Sequence, residues 1–162
     1  MAYRSITKRW MFNSLGVIVL VLVVVTLTAS LMIQNYYYTS VERELKLQAD
    51  YGDNYLQDLS AAGRSNLSAE IRNMVENFEE KDQMEMMAID HTGSILVTSS
   101  GFSYLSSYDM PDYAAAKNDV SGRGTEIYKL EDTGEKVMAM TVMSPVLSGD
   151  ISAVRYVVWF IT

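Results

Sequence analysis

The residues of this sequence with the clearest capacity for chemistry are carboxylates that lie close together. Four of them fall within seven positions, at Glu76, Glu79, Glu80 and Asp82. Clustered carboxylates bind hard cations, although the spacing here is not that of a calcium-binding loop. The cluster is therefore a weak candidate site for a divalent cation or a cationic peptide, and a solvated acidic face is the alternative. No cofactor is predicted.

The single histidine, His91, is a second candidate. An imidazole titrates near pH ~6.5 and can sense pH, but a lone histidine in a turn is more often an exposed polar residue. The sequence has no cysteine, which excludes disulfides, thiolate metal sites and cysteine nucleophiles. It also has no nucleophile elbow, phosphate-binding loop or HExxH motif. We therefore expect no catalytic residue in this chain.

Residues that could contact a ligand lie in the second half of the chain. Arg123, between two glycines, could clamp a carboxylate or could belong to a soluble turn. Arg155 alternates with apolar neighbours, so it should face away from them and pair with a surface acid. Tyrosines in the polar segment before Arg123 are placed where binding loops often lie. The candidate ligand contacts are Tyr104, Tyr108, Tyr113, Arg123, Thr141 and Arg155.

The candidate residues must be positioned by helices and strands. The spacing of apolar residues along the sequence predicts where these elements lie. Apolar residues at i, i+4, i+7, i+8 and i+11 from Leu67 to Phe78 predict an amphipathic helix. Further on the period shortens to two, and runs at 84–89 and 94–98 flank a turn that ends at Gly93. Glycine supplies the positive φ that such a turn needs, so a β-hairpin is predicted here.

The rest of the domain is predicted to be a crossover followed by three strands. Residues 101–124 are rich in Ser, Tyr, Asp and Gly, with Pro111 placed to open a short helix. Strands are predicted over 125–130, 136–142 and 152–160. The order of long helix, helix, two strands, crossover and three strands predicts an α+β domain. Its five-stranded antiparallel sheet should carry helices on one face.

The N-terminal region carries an apolar segment of membrane-spanning length. Leu15–Ile33 has nineteen residues and no charge, and at ~1.5 Å per residue this nearly matches a hydrocarbon core of ~30 Å. Arg4, Lys8 and Arg9 precede it without any acid, so the positive-inside rule places the N-terminus in the cytoplasm. A cleaved signal peptide is the alternative, but this run is longer than usual and lacks a good small-x-small site.

The segment divides the chain into residues 1–14 in the cytoplasm, a transmembrane helix over 15–33, and an extracytoplasmic sensor domain over 34–162. Three of the 13 basic residues precede that domain, which leaves it 10 basic and 20 acidic residues, a net charge of about −10. Such a charge disfavours nucleic acid and anionic lipid as partners. It favours cations, basic peptides or solubility alone.

Beyond the apolar segment the helix is expected to continue as a stalk. Gly52 and its polar neighbours make the apolar stripe less uniform than a coiled-coil seam. We predict that two copies of the chain pair through this stalk helix to form a homodimer. The stripe consists of Val41, Leu45, Ala49, Leu56 and Leu59.

Several short motifs carry a resemblance to a known family. They are TGEKVMA (133–139), SPV (144–146), VRYV (154–157), and Asp90-x-x-Gly93 with Thr98-Ser99. The chain resembles the extracytoplasmic PAS-like sensor domains, also called Cache or PDC domains, of sensor histidine kinases from Gram-positive bacteria. The resemblance covers most of residues 35–160.

The resemblance implies the signal-input domain of a two-component system, with Arg123 near the edge of a ligand pocket. In that family the last strand leads into a second membrane span and a kinase core, so this chain is expected to be the N-terminal part of a longer receptor. His91 lacks the acid and the Lys/Arg-Thr/Asn-Pro run that follow the family's phosphoacceptor histidine. Ligand binding is expected to shift a two-state equilibrium that the membrane helices carry inward.

Other functions are compatible with the same features. A chemotaxis or cyclic-nucleotide receptor can carry the same kind of input domain. A pilin-like structural subunit also joins an apolar N-terminal helix to an antiparallel sheet, but its glycine cleavage site and early glutamate are missing here. An anchored binding module without an output domain is the remaining alternative.

Overall fold

The computed structural model describes residues 3–61, 66–101, 110–130, 133–144, 147 and 150–160. The helices in this part of the chain are α1 (Tyr3–Ala61), α2 (Leu67–Glu76) and α3 (Pro111–Asn118). The strands are β1 (Glu85–Ile89), β2 (Ile95–Thr98), β3 (Arg123–Lys129), β4 (Lys136–Val142) and β5 (Ala153–Phe160). The chain divides into two compact units, Met1–Ser40 and Val41–Thr162.

The first unit is a part of helix α1. Its most apolar window has a mean hydropathy of 2.8, and none of that window is buried by the rest of the chain. By length and composition this helix can cross a membrane. An apolar helix that its own chain leaves uncovered is typical of a membrane span or of a signal sequence.

The second unit is built on one sheet. Its strand order is β2-β1-β5-β4-β3, and every neighbouring pair is antiparallel. The predicted α+β class and the five-stranded antiparallel sheet are therefore confirmed. Residues opposite each other in register share a face of a sheet. One such row runs across four strands through Met87, Arg155, Thr141 and Gly124.

The predicted hairpin between β1 and β2 is confirmed, and its turn is held by Asp90. One carboxylate oxygen of Asp90 accepts hydrogen bonds from the backbone N–H groups of Thr92 and Ser94, each at 2.8 Å. Gly93 closes the turn at φ 89°. The hydrogen bonds from Thr92 and Ser94 lower the pKa of Asp90. His91 is exposed in this turn.

Helices lie on both faces of the sheet, so the prediction of helices on one face is wrong. Side chains of neighbouring residues in a strand point to opposite faces. Arg155 of β5 bonds to Asp112 of α3, whereas the next residue, Tyr156, lies against Gly52 of α1. Gly124 allows the approach of α3, because a Cβ atom there would lie 2.2 Å from the carbonyl oxygen of Asp112.

The apolar stripe of the stalk is part of the core of its own domain. Leu45, Ala49, Leu56 and Leu59 are each at most 7% exposed within the single chain. Four of the five residues of the stripe are therefore covered within one chain, and the fifth, Val41, is half-buried. The homodimer stays a prediction, and any pairing through residues 45–59 of α1 must use a different face of this helix.

Helix α2 packs on the same side of the sheet as α1. Its buried residues, Leu67, Ile71 and Val75, follow the predicted stripe. Arg72 on its outer side forms an ion pair with Asp150, with Nη2 and Oδ2 2.5 Å apart. Hydrogen bonds from Arg72 and Ser68 lower the pKa of Asp150. The ion pair ties α2 to the segment before β5.

Candidate functional site

A groove of about 660 Å³ lies between helix α1, helix α2 and the sheet of the second unit. Helix α1 contributes Tyr51 and Tyr55, the α2 region contributes Asn73 and Phe78, and β5 contributes Tyr156. Cavities of this size hold small organic molecules. The sequence does not predict the groove, because its walls come from segments that are far apart along the chain.

Tyr156 forms the floor of the groove. Its side chain is 2% exposed, and its hydroxyl oxygen would lie 2.3 Å from a Cβ atom placed on Gly52. Any larger residue at position 52 would push the hydroxyl or the helix away. Burial, reinforced by the charge of Asp53 and opposed by Arg123, raises the pKa of Tyr156. The hydroxyl is therefore protonated at neutral pH.

The rim of the groove is acidic. Glu70, Glu79 and Glu80 line it, and none of its described lining residues is Lys, Arg or His. Glu79 and Glu80 belong to the predicted acidic cluster, whereas the exposed Glu76 and Asp82 do not line the groove. In the described ranges, no group of three or more histidine or acidic side chains is arranged to hold a metal ion.

Arg123 is held by carboxylates of α1. Its Nη1 lies 2.5 Å from Asp50 Oδ1, and its Nη2 lies 3.5 Å from Asp53 Oδ2. The hydrogen bond to Asp50 outweighs partial burial and raises the pKa of Arg123. The predicted turn at Arg123 is wrong, because this residue opens strand β3 and Gly124 lies within the strand. A carboxylate ligand at Arg123 would have to displace two acids.

On the opposite face of the sheet, three buried polar side chains and the half-buried Tyr128 form a polar cluster. Asp112 Oδ2 accepts hydrogen bonds from Arg155 Nε at 2.8 Å and from Thr141 Oγ1 at 2.6 Å. Asp112 Oδ1 accepts a third, from Arg155 Nη2 at 3.1 Å. Arg155 also donates to the hydroxyl of Tyr128. The cluster joins α3 to β3, β4 and β5.

Burial and pairing fix the protonation states in this cluster. Burial works to lower the pKa of Arg155, but the carboxylate of Asp112 outweighs it, so the pKa is raised. Burial raises the pKa of Tyr128 to about 12, although the charge of Arg155 opposes the shift. At neutral pH the cluster therefore contains a guanidinium cation and a neutral phenol. Its donors and acceptors satisfy one another, so the cluster fastens α3 to the sheet.

The structure brings together two predicted ligand contacts, Thr141 and Arg155, but as partners of a residue that was not predicted. Arg155 faces away from its apolar neighbours as expected. The prediction that it pairs with a surface acid is wrong, because Asp112 is 0% exposed. A carboxylate in the first turn of a helix interacts favourably with the helix dipole, so an acid at position 112 needs no buried partner to explain it. The sequence therefore gives no reason to place Asp112 in the core or Tyr128 beside it.

Of the three tyrosines predicted to contact a ligand, only Tyr113 lies among the described residues. Tyr113 is half-buried and packs against the core cluster of Ile89, Met110 and Ala153. Tyr104 and Tyr108 lie outside the described residues. Packing explains the position of Tyr113 without a ligand.

Comparison with models of known protein families gives no match, and no curated protein matches this chain. Function must therefore be argued from helix α1, the groove and the polar cluster.

Proposed function

We propose that this chain is the extracytoplasmic signal-input part of a membrane-bound receptor of the sensor histidine kinase type, and that its sheet domain is PAS-like. The antiparallel sheet and the element order support that fold, because both are what the sequence resemblance implies. In this proposal the chain itself is not catalytic and needs no cofactor.

The observation that carries the proposal is that one helix contains both an apolar segment of membrane-spanning length and part of the core of the sheet domain. The apolar part of α1 has the length and hydropathy of a membrane span. A later part of the same helix contributes Leu45, Ala49 and Leu56 to the core of the sheet domain. A rearrangement of that core therefore acts on the helix that carries the apolar segment.

The mechanism we propose is a shift between two arrangements of the domain. A ligand that binds one arrangement more tightly shifts the equilibrium by its differential affinity. Displacements of about 1–2 Å between packed helices are sufficient in known switching proteins. The groove is well placed for such a ligand, because Tyr51, Gly52 and Tyr55 of α1 line it.

The proposed orientation can be tested with single cysteines, because the natural chain has none. Thr133→Cys, on an exposed turn residue, should react with a membrane-impermeant maleimide in intact bacteria. Ser5→Cys should react only after lysis, since Arg4, Lys8 and Arg9 hold the N-terminus in the cytoplasm. Protection of residue 133 in intact cells would overturn an extracytoplasmic domain. Release of the labelled chain into the medium would indicate a cleaved signal peptide and would exclude the anchored sensor.

A further inference from the structure

Tyr156 lines the groove, and its hydroxyl group is available to a ligand. Tyr156 is 2% exposed, and its hydroxyl receives no hydrogen bond from the described part of the chain. A tyrosine hydroxyl can both donate and accept a hydrogen bond. The neighbouring Gly52 leaves room for the hydroxyl but offers it no side-chain partner. A ligand in the groove can therefore form a hydrogen bond with this hydroxyl.

The walls of the groove select the kind of ligand. Tyr51, Tyr55 and Phe78 provide aromatic surface, and the face of an aromatic ring attracts a cation. The carboxylates of Glu79 and Glu80 lie at the rim, with no basic residue among the described lining groups. These carboxylates would repel an anion. An uncharged apolar molecule would make no favourable electrostatic contact with them.

A bare metal ion is a poor fit to the same groove. Divalent ions prefer several carboxylate or carbonyl oxygens at short range. Among the residues that the structure describes, no acidic or histidine group of three is arranged in that way. The volume of about 660 Å³ is also far larger than an ion needs.

We propose that this groove binds a small organic cation, an ammonium or guanidinium group carried on an apolar or aromatic body. The cationic group lies near Glu79 and Glu80, the body lies against the tyrosine rings of α1, and a polar atom of the ligand bonds to Tyr156. The effect of binding on signalling rests on the proposed sensory function. Binding itself is a property of the groove.

Isothermal titration of the full chain in nanodiscs of zwitterionic lipid tests the assignment. The probe is phenethylammonium, with phenylpropionate as the anion of similar shape and MgCl₂ as the metal. We expect saturable binding of phenethylammonium and at least tenfold weaker binding of the other two. No binding of the ammonium probe, or equal binding of phenylpropionate, would overturn the proposal.

Matched variants separate the groove from the general acidity of the domain. Glu79→Gln with Glu80→Gln should weaken binding about tenfold or more, because two of the three lining carboxylates lose their charge. Glu76→Gln with Asp82→Asn removes two charges of the same cluster outside the groove, and should change affinity by less than about twofold. Tyr156→Phe should weaken binding of phenethylammonium by about five- to tenfold, as expected for one lost hydrogen bond. An equal effect of both charge pairs would mean non-specific attraction and would overturn the site.

A second readout distinguishes the failure of this site from the failure of the sensory role. An environment-sensitive fluorophore on Glu44→Cys, an exposed position of α1, should change its emission when phenethylammonium saturates the groove. The same fluorophore on Thr133→Cys should not respond. Binding without a response at residue 44 would support the cation site and contradict signal transmission through α1.

Discussion

The carboxylate of Asp112 accepts hydrogen bonds from Arg155 and Thr141 while no part of the residue is exposed. A paired ion in the interior gains Coulomb energy, but it also loses its hydration, so the intact pair contributes little net stability. Removing one partner is a different matter, because the other charge stays buried without compensation. The effect of this cluster on the free energy of unfolding is therefore largest when only one of its charges is removed.

We predict that Asp112→Asn lowers the free energy of unfolding by about 3–5 kcal/mol, because the Arg155 guanidinium is left buried beside a neutral amide. Urea unfolding of the chain in mild detergent micelles, followed by near-UV circular dichroism, measures this. Glu126→Gln is the matched control, since Glu126 is an exposed acid on β3, and its effect should stay within about 0.5 kcal/mol.

The double variant Asp112→Leu with Arg155→Met removes both charges and should recover part of the loss. If Asp112→Asn lowered the free energy of unfolding no more than Glu126→Gln, the ion pair of Asp112 and Arg155 would not be buried as described. If the double variant were as unstable as the sum of its single variants, the two residues would not be coupled.

At the scale of the elements, the sequence predicts more of the fold than of the site. The strands and helices follow local periods, and the hairpin follows from Gly93, so their positions are predicted within about two residues, except that α1 begins at Tyr3 and not at Leu15. Contacts between distant segments have no such local signal. The pairing of Asp112 with Arg155 depends on how α3 lies across the sheet, and the groove depends on the close approach of Tyr156 to Gly52.

The same lack of a local signal applies to the apolar stripe of the stalk helix. A helical stripe of apolar residues shows that one face of a helix is covered, but it does not show whether the cover is a second copy or the same chain. In α1 the cover is the chain's own domain. The opposite face of the helix is exposed at positions spaced i, i+4, i+8, i+11 and i+15. These residues are Arg43, Leu47, Tyr51, Asn54 and Asp58.

We predict that the proposed homodimer pairs through this exposed face. Leu47 is 57% exposed and is not among the residues that line the groove, so its apolar side chain is available to a second copy. Leu47→Cys should therefore give a high yield of disulfide-linked dimer in oxidised membranes. Lys46→Cys is the control, because it is similarly exposed but points about 100° away around the helix. Equal yields at positions 46 and 47 would show random collision instead of a defined interface.

At the scale of the whole molecule, the two units of the chain differ in how their apolar residues are covered. Met1–Ser40 contains the uncovered apolar segment, and Val41–Thr162 contains the sheet with its core. The buried positions of α1 begin at Leu45, so the domain core includes the later part of this helix and none of the apolar segment. The boundary of the folding unit therefore falls inside a continuous helix.

This boundary predicts opposite results for two deletions. A chain that begins at residue 41 should fold in water, with an unfolding free energy within about 1 kcal/mol of the full chain, because no core side chain is lost. A chain that begins at residue 61 lacks Leu45, Ala49, Leu56 and Leu59. Each buried leucine is worth about 2–5 kcal/mol, and the sum approaches the ~5–15 kcal/mol total of a typical domain. This second chain should be unfolded by circular dichroism. If both chains fold, α1 is not part of the core; if neither folds, the sheet domain depends on the apolar segment.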